Sequence, residues 1–143
     1  MDDASDPLYR KALLRLAADA MGAGHLPAPD AAATAANPAC GDSVTVELAL
    51  DGSRITAIAH DTRACILTQA SAAILGAVAP GMDGAALTAL EAGVRAMLKE
   101  GAPPPLPDYA AFDGAATLPG RHVCVLLPFQ ALRQALEQRP EKA

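Results

Sequence analysis

The chain of 143 residues carries a net charge of −5; 52% of it is hydrophobic, yet only 3% is aromatic. This length suits a single domain, residues 1–143, whose core rests on Leu, Val, Ile and Ala rather than on rings. An acidic balance, no run of Arg or Lys and few stacking aromatics exclude the usual nucleic-acid surface, and no apolar stretch nears the roughly 20 residues of a membrane span.

The opening Met1-Asp2-Asp3 is acidic where a secretory signal would be basic, so the expected location is the cytoplasm. Ends of about 1–5 and 138–143 read as flexible. Asp6-Pro7 is a helix start, since Asp caps and Pro suits the first helical position. Leu8, Leu13, Leu16 and Ala20 then recur at helical spacing, and Gly22 and Gly24 stop the helix. Residues 25–39 are rich in Ala, Pro and Asp without periodicity, and read as a loop.

Val44, Val46, Leu48 and Leu50 alternate with Thr45, Glu47 and Ala49, the period of a half-buried strand. Asp51-Gly52 is a hairpin turn, because Gly accepts positive φ. Arg54 to His60 is the return strand, with Ile55 and Ile58 as its apolar contacts. From Cys65 the period changes: Ile66, Ala70, Ile74 and Val78 mark a helical face that Pro80-Gly81 ends. Asp83 caps the next helix, along which Leu87, Leu90, Val94 and Met97 line up before Gly101. Pro103 to Pro107 forms an extended connector. A last helix begins near Pro119, with Pro128 predicting a kink or a shifted start. Helix, hairpin and further helices together read as α+β, with helices packed over a small antiparallel sheet.

Three cysteines are too few, and odd in number, for a disulfide framework. Spacing alone leaves them as buried apolar fillers, reactive thiols or metal ligands, since no CxxC pair is present. Their placement is suggestive. With only Gly41 between them, Cys40 and Asp42 can aim a thiolate and a carboxylate at one point. Cys65 and Cys124 stand near helix starts, where unsatisfied N–H groups favour thiolate. Arg121, one helical turn before Cys124, adds a cation to the same face. Three thiolates and a carboxylate suit tetrahedral Zn²⁺ with bonds of roughly 2.3 Å to sulfur, and thiolates equally hold iron–sulfur clusters. His25 and His60 read as loop and strand-end residues, and His122 as a packed helix residue. With no histidine tied to a cysteine by motif, a Cys/His thiol enzyme is the weakest reading.

Asn37-Pro38-Ala39-Cys40-Gly41-Asp42 resembles the Asn-Pro-x-Cys-Gly-Asp signature of the IscU/SufU/NifU amino-terminal-domain scaffold proteins. Cys65 followed by Ala70-Ser71 resembles that family's second element, Arg121-His122-Val123-Cys124 its third, and Leu8-Tyr9 the opening of its first helix. The long segment between Cys65 and Cys124, with Arg121, looks closest to the SufU branch. The resemblance implies a SufE/NifU-like fold, in which a small antiparallel three-stranded sheet packs against several helices. It implies zinc or a [2Fe–2S] cluster held by Cys40, Asp42, Cys65 and Cys124. It also implies sulfur accepted from a SufS-like cysteine desulfurase on Cys124, a cysteine at the rim of the site, with Arg121 supporting, and apo iron–sulfur proteins as recipients. There are departures: Val123 replaces the family's His or Lys before the third cysteine, Thr62-Arg63-Ala64 replaces a Gly-rich approach, and the chaperone-docking motif is missing. A structural zinc module without sulfur transfer is the alternative.

Overall fold

A computed structural model describes residues 11–38, 41–117 and 119–137. In chain order the elements are α1 (Lys11–Asp19), β1 (Ala31–Asn37), β2 (Asp42–Asp51), β3 (Arg54–Arg63), α2 (Ile66–Val78), α3 (Gly84–Glu100), a 3-10 segment (Pro107–Thr117), a 3-10 turn (Pro119–Arg121) and α4 (His122–Glu137). The three strands form one antiparallel sheet in the order β1-β2-β3. The expected α+β architecture is therefore present.

The hairpin follows its sequence. Val44, Val46 and Leu48 are buried on one face of β2, and Gly52 takes a positive φ of 61° in the turn to β3. β3 runs on past His60 to Arg63, so His60 lies inside the strand and not at its end. The loop expected over residues 25–39 is corrected, because residues 31–37 form β1. Ala31, Ala33 and Ala35 point inward while Ala32, Thr34 and Ala36 face out. Burial alternates with period two, but alanine on both faces hides that period from the sequence. The strand is held by a ladder with β2 and by a Thr34–Thr45 hydroxyl pair at 2.7 Å across the outer face.

Small alanines let α4 lie across β1 and β2, and α2 fits between α1, α4 and β3. α2 is buried nearly all round, beyond the single face its periodicity marks: Leu67, Thr68, Ser71 and Leu75 are covered as well as Ala70 and Ile74. α3 starts and stops as expected. The Ala86 N–H donates to the Asp83 carboxylate at 2.9 Å, and Gly101 turns left-handed with φ of 73°. The Pro-rich connector gives way to the 3-10 segment, whose Tyr109 packs with Phe112 and with Phe129 of α4 in the core. α4 begins at His122, after the 3-10 turn at Pro119, so Pro128 is inside the helix. Asp6, Pro7 and Leu8 lie outside the described residues.

Candidate metal centre

Three element ends meet at one end of the sheet. Gly41, with φ of 73°, donates its N–H to the Asn37 carbonyl at 3.0 Å and turns the chain from β1 into β2. That turn sets Asp42 as the first residue of β2, only 7% exposed. Cys65 is the N-cap of α2, in extended conformation, and its side chain makes no capping bond, which leaves the thiol for other partners. Cys124 is the third residue of α4 and 1% exposed.

One ligand atom each from Asp42, Cys65 and Cys124 lie within 4.8 Å of one another, with Cys124 Sγ 4.0 Å from Asp42 Oδ2. A tetrahedral ion with roughly 2.3 Å bonds sets its sulfur donors about 3.8 Å apart, so the grouping needs little movement to close on one ion. Cys40 lies outside the described residues; it precedes Gly41 and Asp42 in the chain. Arg121 closes the 3-10 turn ahead of α4, and its guanidinium hydrogen-bonds the Cys124 thiol.

The electrostatics differ from the sequence expectation. Burial pushes the Cys124 thiol up to about 11, Cys65 and Asp42 push the same way, and Arg121 opposes them without prevailing. The helix start and the guanidinium therefore do not make Cys124 a free thiolate at neutral pH. Nor is Cys124 at the rim, since Cys65 is the more exposed of the two thiols. Two soft sulfurs and a carboxylate, crowded together and largely out of water, form a set whose protons a divalent cation would displace. The chemistry of the donors fits zinc and fits iron held with sulfide.

The histidines stand elsewhere. His60 is buried and bonds the Met21 carbonyl and the Thr62 hydroxyl, each at 2.9 Å. His25 pairs with Glu47 at 3.0 Å. His122 is the first residue of α4. Sequence reasoning missed Thr68, whose buried hydroxyl lies 3.6 Å from Cys65 Sγ. The available signal was a Thr at position i+3 from Cys65, on a helix made mostly of Ala, Leu and Ile.

Residues 8–106 match the model of the NifU-like N terminal domain. That match ends before Arg121 and Cys124. Three solved structures extend the comparison. A nitrogen-fixing NifU-like protein (N-terminal) from Brucella abortus is 34% identical with a TM-score of 0.86, covering 96% of this chain and 98% of its own. A putative iron–sulfur cluster assembly scaffold protein for the SUF system from Fervidobacterium islandicum AW-1 is 22% identical with a TM-score of 0.82, covering 92% and 98%, and is a likeness of fold. A hypothetical protein is 25% identical with a TM-score of 0.76, covering 88% and 97%. No curated protein matches the chain.

Proposed function

The chain belongs to the NifU-like N terminal domain family, and from that premise we propose that it is an iron–sulfur cluster assembly scaffold, acting as one domain. The observation that carries the reading is the convergence of Asp42, Cys65 and Cys124 from three separate elements. Buried fillers do not need to meet a carboxylate. With Cys40 these residues would hold zinc, or a [2Fe–2S] cluster as cargo for apo iron–sulfur proteins. Zinc would supply charge that keeps the thiols deprotonated.

Sulfur enters from a cysteine desulfurase of the SufS type. Once its proton has left to solvent, the Cys124 thiolate attacks the terminal sulfur of the donor's persulfide; a new S–S bond forms on Cys124, the donor's S–S bond breaks, and the donor cysteine leaves as thiolate. Arg121 favours the attacking anion through its hydrogen bond. Because Cys124 is covered, docking of the partner has to open the site, and the more exposed Cys65 is the competing acceptor.

The burial of Asp42 and Cys124 also favours a second reading, a closed structural zinc site without sulfur transfer. Metal and acid-labile sulfide in protein purified without oxygen, for wild type, Cys40→Ser and Cys65→Ser, separate the cases. Iron with matching sulfide, lost in both variants, marks a cluster scaffold. About one zinc per chain without sulfide, lost likewise, fits zinc in a tetrahedral site of either kind. Labelled sulfur from a desulfurase then decides: transfer that fails in Cys124→Ser supports the acceptor role, and transfer at the normal rate removes it. Absence of metal and sulfide in all three proteins would sink both readings.

A further inference from the structure

Pro128 sits inside α4, four residues after Cys124. In an unbroken helix the N–H of residue 128 would donate to the carbonyl of Cys124; proline has no such N–H, and its ring crowds that same carbonyl. The orphaned acceptor is not left unpaired. The Thr68 hydroxyl of α2 donates to the Cys124 carbonyl at 2.9 Å, and one turn further along α2 the Ser71 hydroxyl donates to the Val125 carbonyl at 2.6 Å. Both hydroxyls are completely buried. Since the Thr68 proton goes to Cys124, the 3.6 Å contact with Cys65 Sγ is one in which Thr68 accepts from the thiol. Thr68 thus touches the side chain of one candidate ligand and the backbone of another.

We propose that Thr68, Ser71 and Pro128 form a clasp whose work is to fix Cys65 and Cys124 relative to each other. Pro128 frees the Cys124 carbonyl, Thr68 ties it down, and Ser71 holds the neighbouring Val125 carbonyl. The three are positioning residues and touch no cargo. A helix whose own ladder satisfied Cys124 would lose the Thr68 hold on that carbonyl, leaving Ser71 and apolar packing to fix α4 against α2. A buried carbonyl paired with the Thr68 hydroxyl penalises any shift that breaks the bond. The role in metal holding rests on the function proposed above, but the clasp itself is a statement about two thiols.

The test is a double-mutant cycle. Thr68→Val keeps the shape and removes the hydroxyl; Thr68→Ser keeps the hydroxyl; Pro128→Ala returns the helical N–H to the Cys124 carbonyl. Zinc affinity, read by competition with a chromophoric chelator, should fall about tenfold in Thr68→Val, the lower end of what partners of metal ligands cost when removed, and stay within about threefold in Thr68→Ser. In the Pro128→Ala background, Thr68→Val should cost less than about threefold, because the carbonyl has regained a donor. A second readout needs no metal. In Cys40→Ser protein equilibrated with glutathione and its disulfide, formation of the Cys65–Cys124 bond reduces glutathione disulfide to two glutathiones, and the equilibrium constant reports how firmly the thiols are held together. It should fall in Thr68→Val and recover with Pro128→Ala. An unchanged affinity and equilibrium constant in Thr68→Val, or an equal loss in both backgrounds, would overturn the clasp. If wild type takes up neither zinc nor iron with sulfide, the proposed function fails while the glutathione equilibrium still decides the clasp.

Discussion

Cys124 shows how position within the fold outweighs local chemistry. A helix start and a neighbouring arginine both favour thiolate, yet burial and the adjoining Cys65 hold the proton on, with the thiol pushed up to about 11. In metal-free protein, ultraviolet thiolate absorbance should therefore show one cysteine titrating well above the ordinary value of 9.0. Arg121→Gln should move it higher, and Cys65→Ser should bring it down. The sign for stability follows from linkage. A folded-state value above the unfolded one means that the native state keeps a proton the unfolded chain has released. The contribution is fully present below pH 9.0 and is lost as pH rises towards about 11. Urea midpoints measured across that window should fall in wild type and fall less in Cys124→Ala. None of this was legible in the sequence, because motif spacing names the donors and says nothing about their solvent exposure.

At the scale of elements, legibility tracked side-chain contrast. β2, β3 and α3 alternate or repeat between apolar and polar residues, and the structure forms them with the expected turn and caps at Gly52, Asp83 and Gly101. β1 has almost no contrast, since apart from Thr34 the residues from Ala31 to Ala36 present the same methyl on both faces. What makes it a strand is tertiary: the ladder of β2 needs a partner, and α4 needs a shallow surface to lie on. A second silent feature is the approach of the α1–β1 connection to α2. A Cβ placed on Gly76 would collide with the Met21 carbonyl oxygen, while one on Gly84 would meet nothing within 4 Å. Gly76→Ala should thus destabilise by about 3 kcal/mol, the upper end for forcing extra volume against unyielding neighbours. Gly84→Ala, at the first position of α3, should stabilise by about 0.5 kcal/mol by restricting the unfolded chain. Urea denaturation of both proteins checks the pair. Equal midpoints would mean that the connection moves aside freely, and with it the segment from Met21 to Gly24 that lines up beside His60.

For the whole molecule, the question is whether the candidate centre holds the fold together or is carried by it. The largest fully buried side chains are distributed over every layer: Leu13 in α1, Leu48 and Ile55 in the sheet, Leu67 and Ile74 in α2, Leu87 in α3, Phe129 and Leu132 in α4. Asp42, Cys65 and Cys124 stand instead at or beside the starts of their elements, at one end of the sheet. Each buried side chain of that size contributes roughly 1.5–3 kcal/mol of transfer free energy, so the core does not depend on the donors for its cohesion. Chelation should then remove only the linkage contribution of the bound metal, about 3–4 kcal/mol when the ion is present at a hundred to a thousand times its dissociation constant. For a domain of this size that lowers Tm by about 6–16 °C. Calorimetry of metal-loaded and chelated protein should show this shift with one cooperative transition kept, and the far-ultraviolet circular dichroism of the two forms should agree. Loss of the transition on chelation would make the metal a structural keystone and favour the closed zinc module. A retained transition suits cluster assembly, because a scaffold that stays folded after surrendering its cargo keeps its donors together for the next load and does not have to refold each time.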